Sequence, residues 1–156
     1  SEYSVRLREK QKARSTYGLS ERQFKAYFAK SLKWKGVTGE KLLELLERRL
    51  DNVTYRLGFS SSRSQARQFV RHGHIIVNKK KVNIPSFQVK TGDTIKVKET
   101  ISDKVKAIIE RIGERKTPRW LSVNTAELEG KVEDMPARSD IGEPITESLI
   151  VEFYSR

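Results

Sequence analysis

Residues 49–78 read RLDNVTYRLGFSSSRSQARQFVRHGHIIVN, and this stretch decides the fold of the chain. In its first part, apolar residues recur with helical spacing as they do just before it, and Gly58 ends this predicted helix. Ser62 and Gln65 have the spacing of a capping box, which predicts a short second helix that ends at Gly73. From Ile75 onwards the apolar residues recur with a period of two, as in a β-strand. The stretch therefore predicts two helical segments that lead into a sheet.

Two predicted helices and the start of a third precede this stretch. Residues 6–17 are rich in helix formers and stop at a glycine. Ser20 and Gln23 form another capping box, after which apolar and aromatic residues repeat at helical spacing. Thr38 has the position of an N-cap for a longer helix. The apolar stripe predicts that this longer helix runs unbroken to Leu57.

The residues after Gly73 predict a small sheet and two further helices. Lys79–Lys81 is interpreted as the polar tip of a hairpin, and Gly92-Asp93 as a second turn. The predicted strands are 75–78, 82–84, 94–98 and 120–123. The predicted helices are 102–112 and 148–154, and a short strand is the alternative for 148–154. We therefore expect an α+β fold, with helices packed on a small, mainly antiparallel sheet.

The charge of the chain points to a polyanionic partner. Its 156 residues include 32 Lys and Arg against 20 Asp and Glu, which gives a net charge of +12. A surplus of this size favours nucleic acid first and an acidic membrane second. The sequence lacks a basic amphipathic helix with bulky apolar anchors, which disfavours the membrane. No apolar run is long enough to span a bilayer, so we expect a soluble, cytoplasmic protein.

Metal and thiol chemistry are disfavoured by the residue types present. The chain contains no cysteine, which excludes disulfides, thiolate metal sites and thiol catalysis. His72 and His74 flank a glycine, but two histidines without an acid nearby in sequence are too few for an ordinary metal site. We expect neither a metal nor a cofactor, and we interpret the two imidazoles as groups that contact RNA.

One motif raises an enzymatic alternative. Residues 49–51, Arg-Leu-Asp, together with Thr54 resemble the catalytic motif of some RNA pseudouridine synthases. Arg48 replaces the histidine expected there, and the segment continues an amphipathic helix. A catalytic carboxylate also needs a pocket, which this short basic chain has little material to build. We therefore expect no catalytic residue and interpret Asp51 as the partner of a neighbouring arginine.

Acidic residues are missing from the middle of the chain. No Asp or Glu occurs over the 41 residues from Asn52 to Gly92. A solvated face usually mixes both signs because like charges repel, so the missing acids favour an external anion. Arg63, Arg67 and Arg71 recur every four residues here and stack along one face of the predicted helix. Their spacing matches a run of phosphates, and a solvated arginine face is the alternative.

The basic residues of the first forty positions are predicted to form a second phosphate-facing surface. Phe24, Tyr27 and Phe28 lie among them with the helical spacing of a core. The candidate RNA-binding residues are thus basic or imidazole side chains from the first 81 residues. They are Arg6, Arg8, Lys10, Lys12, Arg14, Arg22, Lys33, Lys35, Arg49, Arg56, Arg63, Arg67, Arg71, His72, His74, Lys79, Lys80 and Lys81.

Residues 49–59, 62–75 and 77–78 resemble the S4-type RNA-binding module. Motifs along nearly the whole chain narrow the resemblance to the bacterial small-subunit ribosomal protein S4 family. These motifs are Leu7-Arg-Glu-Lys-Gln-Lys, Tyr17-Gly, Glu21-Arg-Gln-Phe, Thr38-Gly-Glu, Val82-Asn-Ile-Pro-Ser, Pro118-Arg-Trp-Leu, Arg138-Ser-Asp and Leu149-Ile-Val-Glu-Phe-Tyr-Ser. Tyrosyl-tRNA synthetases, pseudouridine synthases and stress proteins also carry the module, but they lack these flanking motifs.

The resemblance implies two subdomains and a non-enzymatic role in the ribosome. Residues 1–47 with 139–156 would form a helical subdomain, and residues 48–138 the RNA-binding module with an extension. The family resemblance implies a primary binder of small-subunit ribosomal RNA that nucleates subunit assembly. It further implies contact with the neighbouring ribosomal protein S5, which bears on decoding accuracy, and in many bacteria repression of its own messenger RNA.

The start of the chain departs from the family pattern. Members of this family usually carry a further N-terminal arm, which is often basic. This chain begins at Ser1 rather than at a methionine. The resemblance therefore implies a form of the protein that lacks the arm.

Overall fold

The structure is a computed structural model that describes residues 1–113 and 115–155 of the chain. Its helices and single small sheet confirm the predicted α+β class. The α-helices are α1 (Glu2–Tyr17), α2 (Glu21–Ser31), α3 (Thr38–Glu47), α4 (Leu50–Arg56), α5 (Arg63–Arg71), α6 (Ser102–Ile112) and α7 (Glu147–Tyr154). The strands are β1 (Ile75–Val77), β2 (Lys80–Lys81), β3 (Thr94–Val97), β4 (Leu121–Asn124) and β5 (Glu129–Val132).

The residues group into two compact units, and the first joins Ser1–Leu46 to Ala137–Arg156. The capping box at the start of α2 is confirmed: Ser20 Oγ accepts from the Gln23 N–H at 3.2 Å, and Gln23 Oε1 accepts from the Ser20 N–H at 3.0 Å. α7, which packs on α1, confirms the predicted C-terminal helix. The unit's core contains the predicted aromatic residues and is formed by Ala13, Tyr17, Leu19, Phe24, Tyr27, Phe28, Leu42, Leu43, Leu45, Leu46, Ile141, Ile145 and Ile150.

The second unit, Glu47–Pro136, contains the sheet. Its strands lie in the order β2-β1-β3-β5-β4, and every neighbouring pair is antiparallel. Alternate residues of β1 and β3, such as Val77 and Ile95, point into the core, as the period of two predicts. They share that core with Leu50 and Val53 of α4 and with Trp120, whose side chain is completely buried.

The prediction of one unbroken helix from Thr38 to Leu57 is wrong. α3 ends at Glu47 and α4 begins at Leu50, because Arg49 adopts an extended conformation with φ −65° and ψ 138°. The backbone there pairs with a distant loop instead of with itself. The Leu50 N–H donates to the Phe87 carbonyl at 2.9 Å, and the Val89 N–H donates to the Arg48 carbonyl at 3.0 Å. These long-range hydrogen bonds replace helical ones at the break.

The predicted hairpin tip at Lys79–Lys81, with a return strand at 82–84, is also wrong. Asn78 and Lys79 alone form the turn, and their positive φ angles of 51° and 70° are those of a tight two-residue hairpin turn. Lys80 and Lys81 already lie in β2, opposite Val77 and Ile76 respectively. The basic residues of the hairpin are therefore carried by a paired strand as well as by the turn.

The strand β5 is an addition that the sequence pattern does not predict. It reads Glu-Gly-Lys-Val, in which a glycine and two charged residues weaken the strand signal. It nevertheless pairs with both β3 and β4 and joins the β4 edge to the rest of the sheet. Among the described residues, no helix is both long and apolar enough to cross a membrane.

Candidate RNA-binding surface

The helix α5 presents the predicted row of arginines. Ser62 Oγ accepts from the Gln65 N–H at 3.0 Å and fixes the start of the helix. Ala66, Phe69 and Val70 are buried in the core of the unit. The other side of the helix borders an open polar groove, whose lining includes Arg67, Arg71 and the hydroxyls of nearby serines.

Two arginines of this row reach back to α4. Arg67 Nε donates to Asp51 Oδ2 at 3.2 Å. Arg63 Nε donates to Asn52 Oδ1 at 2.8 Å, and its guanidinium lies 4.6 Å from the centre of the Tyr55 ring. The first two members of the row are thus anchored to the protein.

These contacts belong to a larger set, which we call the arginine–carboxylate network. Arg49 binds Asp51 with two hydrogen bonds, of 3.1 and 2.9 Å. Arg56 binds Glu47 in the same way, at 3.2 and 2.9 Å. The network comprises Glu47, Arg49, Asp51, Asn52, Arg56, Arg63 and Arg67. The interpretation of Asp51 as the partner of a neighbouring arginine is therefore confirmed.

The environment of Asp51 is unsuited to catalysis. The residue is only 1% exposed, and both of its carboxylate oxygens accept hydrogen bonds from arginine side chains. A catalytic carboxylate must touch its substrate, and no substrate can reach an oxygen that is buried in this way. Asp51 instead holds together α4, α5 and the chain break before α4.

A second group of cationic side chains is exposed, and we call it the α5–hairpin surface. Its members are Arg71, His72, Lys79, Lys80 and Lys81. The Lys81 side chain lies against Gly73. A Cβ atom added to that glycine would be only 3.0 Å from Lys81 Cδ and 3.6 Å from Lys81 Nζ. This contact places the hairpin beside the end of α5. In the part of the chain that the structure describes, none of the five has a carboxylate within ion-pair distance.

His74 lies at the edge of this surface and adds a titratable group. Burial lowers the pKa of His74 below its ordinary value, and the nearby His72, Lys98 and Lys104 lower this pKa further. Lys98 and Lys104 extend the basic region around His74, and neither is among the binding residues predicted from the sequence. Lys98 ends a predicted strand that follows the acid-free stretch, so its position in the sequence could have marked it. Lys104 is far from His74 in sequence, so no local pattern indicates that the two residues lie close together.

Arg115 is another cation that sequence reasoning missed. Its guanidinium lies 4.3 Å from the centre of the Tyr55 ring, and it donates to the carbonyl oxygens of Tyr55 and Ser60. Burial lowers the pKa of Arg115, and the neighbouring Arg56 and Arg63 add to this effect. Arg63 and Arg115 thus place two guanidinium groups against the Tyr55 ring. Arg115 is sixty residues from Tyr55 in sequence, so no local pattern marks it.

The predicted basic residues of the first unit divide into two sets. Arg6, Lys10 and Arg14 are engaged within the unit, with Glu152 at 3.1 Å, Glu21 at 2.5 Å and Glu21 at 3.9 Å respectively. Lys12 pairs with Glu9 at 3.1 Å but keeps about half of its side chain exposed. Arg8, Arg22, Lys33 and Lys35 are exposed and have no ion-pair partner among the described residues.

The described residues contain no cluster of three or more histidines and acids that could hold a metal ion. His72 and His74 are near each other, with ring centres 6.1 Å apart, but no carboxylate completes a site. The chemistry available to this region is therefore that of cations and hydrogen-bond donors toward an anion.

Comparison with known proteins agrees with this chemistry. The family model of the S4 domain matches residues 48–95, and that of the Ribosomal protein S4/S9 N-terminal domain matches residues 1–47. The small ribosomal subunit protein uS4 of Halothermothrix orenii is 56% identical over 158 residues, which cover 100% of this chain and 76% of that protein. The uS4 proteins of Desulforamulus reducens and Geotalea daltonii are 54% and 55% identical with the same coverage.

These matches bear directly on the predicted class. The relatives extend over the whole chain, including the flanks outside the RNA-binding module. The prediction of a non-enzymatic ribosomal protein is confirmed by this family assignment. The chain belongs to the uS4 family of small ribosomal subunit proteins.

Proposed function

We propose that this protein binds folded small-subunit ribosomal RNA through the α5–hairpin surface. The observation that carries the proposal is that five cationic or imidazole side chains are exposed without a carboxylate within ion-pair distance among the described residues. They come from the end of α5 and from the hairpin whose Lys81 lies against Gly73. A surface of this kind has an unbalanced positive potential, which a polyanion neutralises. The arginine–carboxylate network extends the positive region along α5 toward Arg63.

The kind of readout follows from the geometry of RNA. The major groove of an A-form helix is too deep and narrow for side chains to read, so phosphate positions and groove shape carry the information. Arginine can bind a phosphate with two parallel hydrogen bonds, and lysine binds it as a point charge. A rigid helix end beside a tight hairpin suits recognition of a fixed phosphate arrangement, such as a junction of RNA helices.

The dependence of RNA affinity on salt tests this proposal. The affinity of the protein for small-subunit ribosomal RNA is measured at several salt concentrations, for the wild type and for Arg71→Ala and Lys80→Ala. Each lost phosphate contact reduces the slope of log K against log salt by about 0.7–0.9. Arg119→Ala is the matched control, because Arg119 is exposed and lies 3.5 Å from Asp134.

The result can contradict the proposal in a clear way. If both variants keep the wild-type affinity and slope, the α5–hairpin surface does not bind the RNA phosphates. If Arg119→Ala changes the slope as much as Arg71→Ala does, the contact is a general attraction to net charge. A loss confined to Arg71→Ala and Lys80→Ala supports the proposed surface.

We further propose that the protein binds the RNA early and thereby nucleates assembly of the small subunit. The first 98 residues contain most of the surplus positive charge, which supports direct binding to RNA without other proteins. We retain the proposed division into a helical subdomain, 1–47 with 139–156, and an RNA-binding module, 48–138. Binding to protein-free ribosomal RNA tests the order of assembly, and a requirement for other ribosomal proteins contradicts it.

The family resemblance also supports contact with ribosomal protein S5, a role in decoding accuracy and repression of the protein's own messenger RNA. Residues 99–156 contain nine basic and twelve acidic residues, so this part of the chain lacks the positive surplus that favours RNA over a protein partner. Pull-down of purified S5 tests the contact, and misreading of a reporter codon tests decoding accuracy. Competition between the messenger leader and ribosomal RNA tests repression, and absence of competition contradicts it.

A further inference from the structure

The loop between α2 and α3 exposes three large apolar side chains. Leu32, Trp34 and Val37 are 57%, 58% and 62% exposed. A tryptophan is seldom this exposed on a protein surface, because removing its large ring from water is favourable in free energy. Three such residues within six positions therefore mark a surface that another molecule covers.

The Trp34 ring is held in place on one side. Lys41 Nζ lies 3.7 Å from the ring centre, in the geometry of a cation–π contact. The same ammonium donates to Glu44 Oε2 at 2.8 Å, which fixes the lysine from the first turns of α3. The indole is thus supported on one side while more than half of the residue stays exposed.

The surroundings of Trp34 are positively charged. Residues 22–39 contain five Lys and Arg and no Asp or Glu. Lys33 and Lys35 flank Trp34 directly, and both are exposed without an ion-pair partner among the described residues. A protein partner with an apolar surface would gain little from these lysines. An anion that also carries flat aromatic groups would gain from both features.

We propose that Trp34 is a stacking platform for an unpaired base of single-stranded RNA, with Lys33 and Lys35 on the adjacent phosphates. Exposed aromatic rings beside cations are the usual means by which proteins bind single strands, because every base has a flat face to stack. The site rests on the proposed function as an RNA binder, but it uses different residues from the α5–hairpin surface and a different element of the RNA.

Tryptophan fluorescence tests the proposal in the intact chain. The chain has two tryptophans, and they differ strongly, because Trp34 is 58% exposed and Trp120 is completely buried. The probe is a single-stranded oligoadenylate, and the comparison ligand is the same strand in a duplex. We expect the single strand to quench the long-wavelength emission of Trp34 and to protect it from acrylamide, while the emission of Trp120 stays unchanged.

Substitutions separate stacking from charge. Trp34→Ala should weaken binding of the single strand by about 5- to 150-fold, which corresponds to the usual 1–3 kcal/mol for a stacked base. Trp34→Phe should recover part of this affinity because a ring remains. Lys35→Ala should reduce the salt slope by about 0.7, whereas Trp34→Ala should leave the slope unchanged. Ile84→Ala is the matched control, since it removes an apolar side chain that is 56% exposed but lies outside this loop.

Several results would overturn the proposal. One is that the single strand does not quench Trp34 emission and that Trp34→Ala binds the strand with wild-type affinity. Another is equal quenching by the duplex, and a third is quenching by polyglutamate but not by RNA, which would assign the loop to an acidic protein. The proposal for the α5–hairpin surface has its own readout, which is the binding of ribosomal RNA by Arg71→Ala and Lys80→Ala. These two variants should leave the quenching of Trp34 by the single strand unchanged, so the two proposals can fail independently.

Discussion

Removal of the Asp51 carboxylate is the most direct test of how the second unit is held together. In Asp51→Ala, four hydrogen bonds disappear: two from Arg49, one from Arg67 and one from the Asn52 N–H at 2.7 Å. Arg67 can turn toward solvent, because a fifth of its side chain is exposed. Arg49 cannot do so, because it is only 3% exposed.

The expected magnitude follows from the buried guanidinium. Removing one partner of a buried ion pair leaves an uncompensated charge and costs about 3–5 kcal/mol, whereas a surface pair contributes about 0–1 kcal/mol. We therefore expect Asp51→Ala to lower the free energy of unfolding of the second unit by about 3–5 kcal/mol. That is a large part of the roughly 5–15 kcal/mol that stabilises a typical domain.

Urea denaturation followed through Trp120 measures this change, because that side chain is buried in the core of the second unit. Arg119→Ala, which breaks the exposed pair with Asp134, should change the free energy by less than about 1 kcal/mol. The double variant Asp51→Ala with Arg49→Met should be more stable than Asp51→Ala alone, since it also removes the stranded charge. A loss below about 1 kcal/mol for Asp51→Ala would refute the reasoning.

Three further predictions concern packing, pH and the C-terminal helix. Gly130→Ala should destabilise the sheet by about 1–3 kcal/mol in urea denaturation, because the new Cβ would lie 2.5 Å from both Leu57 Cδ atoms. The pKa of His74 is lowered from 6.5, so the unfolded chain binds more protons and stability should fall as the pH drops below about 6.5. This fall should be smaller in His74→Gln when unfolding is measured between pH 5 and 8. Tyr154→Phe removes the 2.9 Å hydrogen bond to Glu21 and should lower protection of α7 in hydrogen exchange by about 0.5–1.5 kcal/mol.

Local chemistry explains what the sequence predicts well. The capping box at Ser20 and the side-chain cap at Ser62 place the starts of α2 and α5 where the structure has them. Each cap satisfies backbone N–H groups within three residues, so its signal lies entirely in neighbouring positions. The alternation that predicts β1 is of the same kind. Features that depend only on adjacent residues are therefore predictable from a single chain.

The misplaced features depend on distant contacts. The stripe through Leu46 and Leu50 keeps its helical spacing across the break at Arg49, because the break is made by backbone hydrogen bonds to residues 85–89. β5 is stabilised by its two neighbours rather than by its own composition. Arg115 joins the Tyr55 cluster across about sixty residues. Periodicity describes one element at a time and carries no information about such pairings.

The acid-free stretch from Asn52 to Gly92 also has a different physical meaning in the structure. Glu47 and Asp51, just before this stretch, bind arginines from within it. The network still carries four arginines against two carboxylates, so it remains net positive. Glu47 and Asp51 are each 1% exposed, and they fix the rotamers of Arg56 and Arg67, whose side chains stay about a fifth exposed. The roughly 2 kcal/mol of rotamer entropy that each arginine side chain carries is therefore already lost in the folded protein. The buried acids therefore hold Arg56 and Arg67 in place and leave the network with a net positive charge.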